Sequence, residues 1–259
     1  MRLTILGCSG SLGAPGNPGS SYLLSTPQSP ETPGILLDFG PGALGAMQTV
    51  HDPANAHVLF THLHADHCSD LPSLLVWRRF HPTAPASQRH LMFGPAHVAD
   101  HFGRFSAEGP DEFDDITDTF EVRTWRAETP VEVEKVTVTP YPALHPAVDA
   151  MSLRVEDPET GKVVTFSGDS AMTDTLVDAA RDASIFLCEA AWGATSQGKP
   201  EGMHLSGEEA GQIARRAGVE KLVIVHIQPW SDPEATLEAA RREFDGEIVL
   251  GQAGAVFEL

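Results

Sequence analysis

Seven residues, Thr61-His62-Leu63-His64-Ala65-Asp66-His67, constrain this chain more than any other stretch. Four metal-type ligands fall within six positions, directly after an apolar, strand-like run, His57-Val58-Leu59-Phe60. Four polar side chains at the end of an apolar strand are costly to bury without partners. A divalent cation removes that cost, because neutral imidazole and carboxylate are ligands that zinc takes. His62 and His64 are two apart and share a face of an extended strand end. Asp66 and His67 then turn toward a second metal position.

Three more polar residues end runs of β-formers. His145 closes Val138-Thr139-Pro140-Tyr141-Pro142-Ala143-Leu144, Asp169 follows Val163-Val164-Thr165-Phe166-Ser167-Gly168, and His226 follows Leu222-Val223-Ile224-Val225. Singly, each is as readily a capping or core residue. Together with the His62–His67 cluster they complete a two-metal set.

At 259 residues the chain fits one large α/β domain or two small ones, and the reading adopted is a single domain over residues 1–259. Acidic residues number 36 against 17 basic ones, a formal net charge of −19. Nucleic-acid binding depends on Lys and Arg neutralising phosphates. Arg78-Arg79 and Arg215-Arg216 are isolated pairs, so the charge favours a small substrate over a long polyanion. Three distant cysteines, Cys8, Cys68 and Cys188, suggest a reducing cytosol, with Cys68 a packed thiol. No signal-peptide pattern precedes the first strand and no apolar run has membrane-span length, so a cytoplasmic protein without membrane contact is expected.

Gly and Pro punctuate the chain at intervals that suit short strands. Strands are predicted at Arg2–Leu6, Tyr22–Ser25, Ile35–Asp38, Val58–Thr61, Leu91–Phe93, Phe120–Trp125 and, as one long strand, Val131–Tyr141. Further strands are Ser152–Val155, Val163–Ser167, Ile185–Cys188, Leu222–Val225, Glu247–Leu250 and Val256–Glu258. Helices are predicted at Ala43–Val50, Asp70–Phe80, Pro95–Phe105, Asp174–Arg181, Gly207–Ala217 and Pro233–Phe244. Ser206 with Glu209 forms a capping-box pattern, and Asp232-Pro233 is a cap followed by Pro in the first turn. Ser25–Gly34 reads as a floppy segment and Glu108–Asp118 as an acidic surface loop. Strands followed by strand-loop-helix units indicate an α/β fold of two sheets with helices outside.

These residues resemble the metallo-β-lactamase superfamily over essentially the whole chain, from Gly7-Cys8-Ser9-Gly10-Ser11 through Asp38-Phe39-Gly40 to His226. The resemblance is to the ribonuclease Z-like branch, through Ser167-Gly168-Asp169-Ser170 and Met203-His204-Leu205-Ser206. Within that branch, Val76-Trp77-Arg78-Arg79, Cys188-Glu189-Ala190 and His226-Ile227-Gln228-Pro229-Trp230 look most like the actinobacterial cyclic-nucleotide phosphodiesterases. The resemblance implies an αββα sandwich with two sheets packed face to face, and a homodimer. It implies two divalent ions, zinc foremost with manganese or iron as alternatives. His62, His64, His145 and Asp169 would hold the first; Asp66, His67, His226 and a bridging Asp169 the second. Asp66 would orient or deprotonate the attacking water. His204 would protonate the leaving oxygen, oriented by Glu189.

The activity so implied is hydrolysis of 3′,5′-cyclic AMP to 5′-AMP. Rival readings are a ribonuclease Z-like endonuclease on RNA 3′ ends, a thioester, lactone or β-lactam hydrolase, and a regulatory protein without turnover. Asp169 follows His145 by 24 positions, filled by a hairpin around Asp157–Lys162, which leaves no room for the long transfer-RNA-gripping arm of bacterial ribonuclease Z. The Gly7–Ser11 turn is either a phosphate-binding loop or a tight connection. Trp77, Phe80, Trp192 and Trp230 are candidate faces for a purine, and His51, His57, His81, His90, His97 and His101 match no ligand position.

Overall fold

The computed structural model describes residues 1–26, 29 and 31–259. In chain order its first half contains β1 (Arg2–Gly7), β2 (Ser21–Ser25), β3 (Gly34–Leu37), α1 (Ala43–Met47), β4 (Ala56–Leu59), α2 (Ala65–Cys68), α3 (Leu71–Phe80), β5 (His90–Gly94), α4 (Val98–Phe105) and β6 (Phe120–Thr124). The second half contains β7 (Val131–Val133), β8 (Val136–Pro142), β9 (Met151–Glu156), β10 (Val163–Phe166), α5 (Asp174–Ala180), β11 (Ile185–Glu189), α6 (Gly207–Ala217), β12 (Lys221–Val225), α7 (Pro233–Arg241), β13 (Glu247–Leu250) and β14 (Val256–Glu258).

Two seven-stranded sheets result, in the orders β14-β1-β2-β3-β4-β5-β6 and β13-β12-β11-β10-β9-β8-β7. Each is mixed. In the first, β3 to β6 run parallel; in the second, β10 to β13 do. The sandwich follows from the two-residue period of a strand. In β1–β5 one set, including Leu3, Ile5, Tyr22, Leu37 and Leu59, faces Val164, Phe166, Leu187 and Val223 of the other sheet. The alternate set, including Leu23, Leu36, Val58 and Met92, packs under α1, α3 and α4. Phe186, Cys188, Leu222 and Ile224 likewise face α5, α6 and α7. Both faces of the central strands of each sheet are therefore covered, as buried parallel strands require, and the predicted αββα arrangement is the one observed.

The caps hold as expected. Ser206 and Glu209 close a capping box on α6, and the Asp232 side chain accepts the N–H groups of Glu234 and Ala235. Three expectations need correction. The run predicted as one strand, Val131–Tyr141, is the β7–β8 hairpin, with Val133 opposite Val136 and Glu134 at φ 54° in the turn. The acidic loop contains a short 3-10 turn, Ile116–Asp118, capped by Asp115. The helices predicted to end at Val50 and Phe244 stop at Met47 and Arg241, and the one predicted from Pro95 begins at Val98. The segment expected to be floppy, Ser25–Gly34, falls partly outside the described residues. Among the described residues no helix is long and apolar enough to cross a membrane.

Candidate metal centre

The ligand residues lie where the parallel strands end, at the carboxyl edge where open α/β sheets bind ligands. His62 and His64 follow β4, Asp66 and His67 ride on the short α2, His145 follows β8, Asp169 follows β10 and His226 follows β12. Gly168 makes the Asp169 turn possible. Its φ is +57°, and an added Cβ would lie 2.9 Å from Met151 O.

All seven converge. The donor atoms of His62, His64, His145 and Asp169 lie within 4.8 Å of one another, and so do those of Asp66, His67, Asp169 and His226. Asp169 belongs to both groups through different oxygens. Its Oδ2 faces His62 Nε2 at 3.8 Å and His145 Nε2 at 3.7 Å; its Oδ1 faces His67 Nε2 at 3.1 Å and His226 Nε2 at 3.5 Å.

The chemistry of these donors fits divalent cations. Burial lowers the basicity of His62, His64 and His145, the last to about 4, so their ring nitrogens keep lone pairs. Burial alone would raise the Asp66 and Asp169 carboxyls, but the neighbouring histidines hold both well below the usual carboxylate range. His67 runs the other way: burial would lower it, yet Asp169 and Asp38 raise it. A bound cation would offset the same carboxylates. His62 Nε2 and Asp169 Oδ1 are buried without a hydrogen-bond partner among the described residues. His145 Nε2 stands 3.1 Å from His64 Nδ1, and His67 Nε2 3.2 Å from His226 Nε2. Facing imidazole nitrogens this close repel unless a proton or a metal lies between them.

One carboxylate fixes two of these rings. Fully buried Asp38, at the end of β3, accepts N–H from Thr61 and O–H from Thr61 Oγ1, both at 2.7 Å, and N–H from His67 Nδ1 at 2.7 Å. The Thr61 hydroxyl proton is thereby spent, so His62 Nδ1, 3.0 Å from that hydroxyl, donates to it. His62 and His67 are both left with Nε2 lone pairs turned inward, the orienting role that outer carboxylates play around metal-bound histidine. Asp38 and His226 hold φ of 60° and 57°, two positions of backbone strain at the site.

His204 lies beside both clusters. Its Nδ1 is 3.0 Å from Glu189 Oε1 and 3.7 Å from Asp169 Oδ2, which leaves Nε2 free. Burial opposes protonation, but Glu189 and Asp169 raise the imidazole to about 9. Fully buried Glu189 is itself anchored by N–H donors from Ser170 at 2.8 Å and Ala191 at 3.1 Å. Ser206 is the helix cap expected of it. Within the Gly7–Ser11 turn, Cys8 N donates to Asn17 Oδ1, Ser9 N to Pro18 O and Gly10 N to Ile227 O, a tight connection in which these three groups have no capacity left for phosphate, while Ser11 N faces the site at 3.4 Å from His226 Nε2. An added Cβ at Gly10 would stand 2.3 Å from His226 O. Cys68 is a packed thiol, pushed up to about 12 by burial.

Comparison with known proteins agrees with this geometry. Residues 34–227 match the model of the beta-lactamase superfamily domain. The chain belongs to the metallo-β-lactamase superfamily. An uncharacterized Mycobacterium tuberculosis protein of the same length class is 43% identical over 259 residues, covering all of this chain and 92% of that one. Two solved structures share the superfamily fold over the whole chain and 99% of their own. They are unliganded yeast PDE1, with TM-score 0.76 and 14% identity, and the short form of human tRNase Z, with TM-score 0.73 and 19% identity. At these identities they establish the fold and do not choose between their activities. The superfamily assignment and the His/Asp clusters together make the chain a metal-dependent hydrolase with sites suited to divalent ions.

Asp38 and Thr61 fall inside the quoted motifs, but the sequence assigns neither of them its orienting role. A signal was present: Asp38 is a lone carboxylate after Ile35-Leu36-Leu37, the same strand-end pattern that marks Asp169.

Proposed function

We propose that this chain is a dinuclear phosphodiesterase that opens 3′,5′-cyclic AMP to 5′-AMP. The observation that carries the reading is His204, held by Glu189 against the Asp169 that both donor groups share. A thioester or lactone hydrolase has less use for a positioned acid at this place, because its leaving groups part with less help.

Two divalent ions, zinc by donor type with manganese or iron as alternatives, would supply Lewis-acid polarisation of the phosphoryl oxygens and lower the pKa of the attacking water. His62, His64 and His145 would hold one, and Asp66, His67 and His226 the other, with Asp169 between. The residues of the chain do the rest. Asp66, ionised and 2.9 Å from His226 Nε2, orients the water and accepts its proton. Water oxygen bonds to phosphorus as the bond from phosphorus to O3′ breaks. His204 Nε2 delivers the proton that O3′ needs, and Glu189 balances the imidazolium before transfer. The product is 5′-AMP.

The small substrate is supported by the −19 charge and by the segment after His145. There β9 returns directly as β10, through a turn in which Gly161 N donates to Asp157 O and Asp157 N to Lys162 O. No arm for transfer RNA projects from it. We further propose a cytoplasmic homodimer. The test is incubation of metal-loaded protein with cyclic AMP and with precursor transfer RNA. Formation of 5′-AMP with the RNA left intact is expected; processing of the RNA with cyclic AMP untouched would reverse the assignment.

A further inference from the structure

Beside the His/Asp cluster lies a mostly apolar cavity of about 480 Å³ that the hydrolytic chemistry above does not use. Its inner wall is the ligand segment itself. Leu63 and Ala65 line it, and they flank His64, whose Nδ1 stands 3.1 Å from His145 Nε2. Its floor is the Cys68 thiol, packed 3.5 Å from Leu63 O and 3.7 Å from His101 Nε2. Its outer wall is α4, with His97, His101 and Phe105 in one row because they are four apart on a helix. The rings meet edge to face: His97 and His101 at 6.4 Å between centroids, His101 and Phe105 at 6.1 Å. At the rim Asp100 and Arg104 pair at 3.1 Å, which cancels their charge. An apolar cavity of this size with flat rings and few polar groups matches a small-molecule subsite.

We infer that this cavity takes the purine base of the cyclic nucleotide whose phosphate lies at the His/Asp cluster, with the half-exposed Phe105 ring as the stacking face and His101, tilted 69° to it, at the edge of the base. The inference rests on the phosphodiesterase reading. It gives the reading a reason for nucleotide over any other diester: Leu63 and Ala65 of the cavity wall flank His64 of the cluster, so the phosphate and base sites adjoin along one segment. Stacking on a flat ring selects for a base without reading its edge.

The test compares Phe105→Ala, at a half-exposed position, and His101→Gln on cyclic AMP and on methyl p-nitrophenyl phosphate, a diester without a base. The KM for cyclic AMP should rise about tenfold, and the preference for cyclic AMP over the base-less diester should shrink by about the same factor. Equal losses on both diesters in both variants, which a merely structural role would give, would overturn the inference. So would an unchanged KM for cyclic AMP in both. Adenosine added to the wild-type protein, followed by NMR of the His97 and His101 rings, separates the two readings. Ring shifts without cyclic AMP turnover would reject the phosphodiesterase and keep the base cavity; turnover without ring shifts would do the opposite.

Discussion

The carboxylate of Asp38 accepts the His67 Nδ1 proton at 2.7 Å, with both side chains fully buried. Through Thr61 the same carboxylate also sets the tautomer of His62, so one residue outside both donor groups governs a ligand in each. Asp38→Asn would offer its amide N–H to one of three donors that need an acceptor. It should lower metal affinity about 10–100-fold, read by competition with a chelator. Affinity unchanged from wild type would contradict the orienting role.

His204 is a test of acid catalysis apart from metal binding. His204→Ala should keep its metal content and lose roughly 10²–10⁴-fold in cyclic AMP turnover. The loss should be smaller on a nitrophenyl ester, whose leaving group hardly needs a proton. Glu189→Gln should show a weaker form of this pattern together with lower thermal stability, because Glu189 also accepts from Ser170 N and Ala191 N. Metal loss in His204→Ala would make His204 a ligand instead.

Arg78 is a buried cation without a carboxylate partner among the described residues. It donates to the carbonyls of Ala54, Gln88 and Thr119 and to Thr119 Oγ1, and stacks 4.3 Å over Phe120. Arg78→Leu leaves the Ala54 and Gln88 carbonyls unpaired, at about 1–3 kcal/mol each, while Thr119 O keeps the His90 N–H. At the lower bound the Tm should fall by about 4–8 °C, measured by calorimetry. A shift under about 2 °C would mean that water replaces the guanidinium freely.

The same network predicts a pH response. Burial first, and then the Arg78 charge, hold His90 down at about 3 in the fold, against about 6.5 in an unfolded chain. The unfolded state therefore binds the extra proton, and this stability is complete above about pH 6.5 and is lost as pH falls from there toward 3. Urea unfolding from pH 7 to pH 5 should show declining stability, with a shallower slope in His90→Asn. An equal slope in the variant would assign the decline to other groups.

Much of the site was legible because its ligands interrupt apolar strands. Each of His62, His145, Asp169 and His226 breaks a run of β-formers, and strand ends are what the fold gathers at one edge. The helix α2 was not legible, since four residues hold no period. The β7–β8 turn was hidden because Glu134 takes the left-handed conformation without a Gly or Asn to mark it. Arg78-Arg79 reads only as an isolated basic pair; that Arg78 is 2% exposed was not legible, since its partners are mostly backbone carbonyls that leave no trace in sequence. His97 and His101 matched no ligand motif, and only α4's placement beside Leu63 shows them lining a cavity.

The most direct measurement of the central claim is a titration of metal-stripped protein with zinc, following 5′-AMP formed from cyclic AMP. The paired donor groups predict no turnover without metal, a rise on addition and a plateau at about two equivalents per chain. Undiminished turnover by the metal-free protein, or a plateau at one equivalent, would contradict a dinuclear centre built on Asp169.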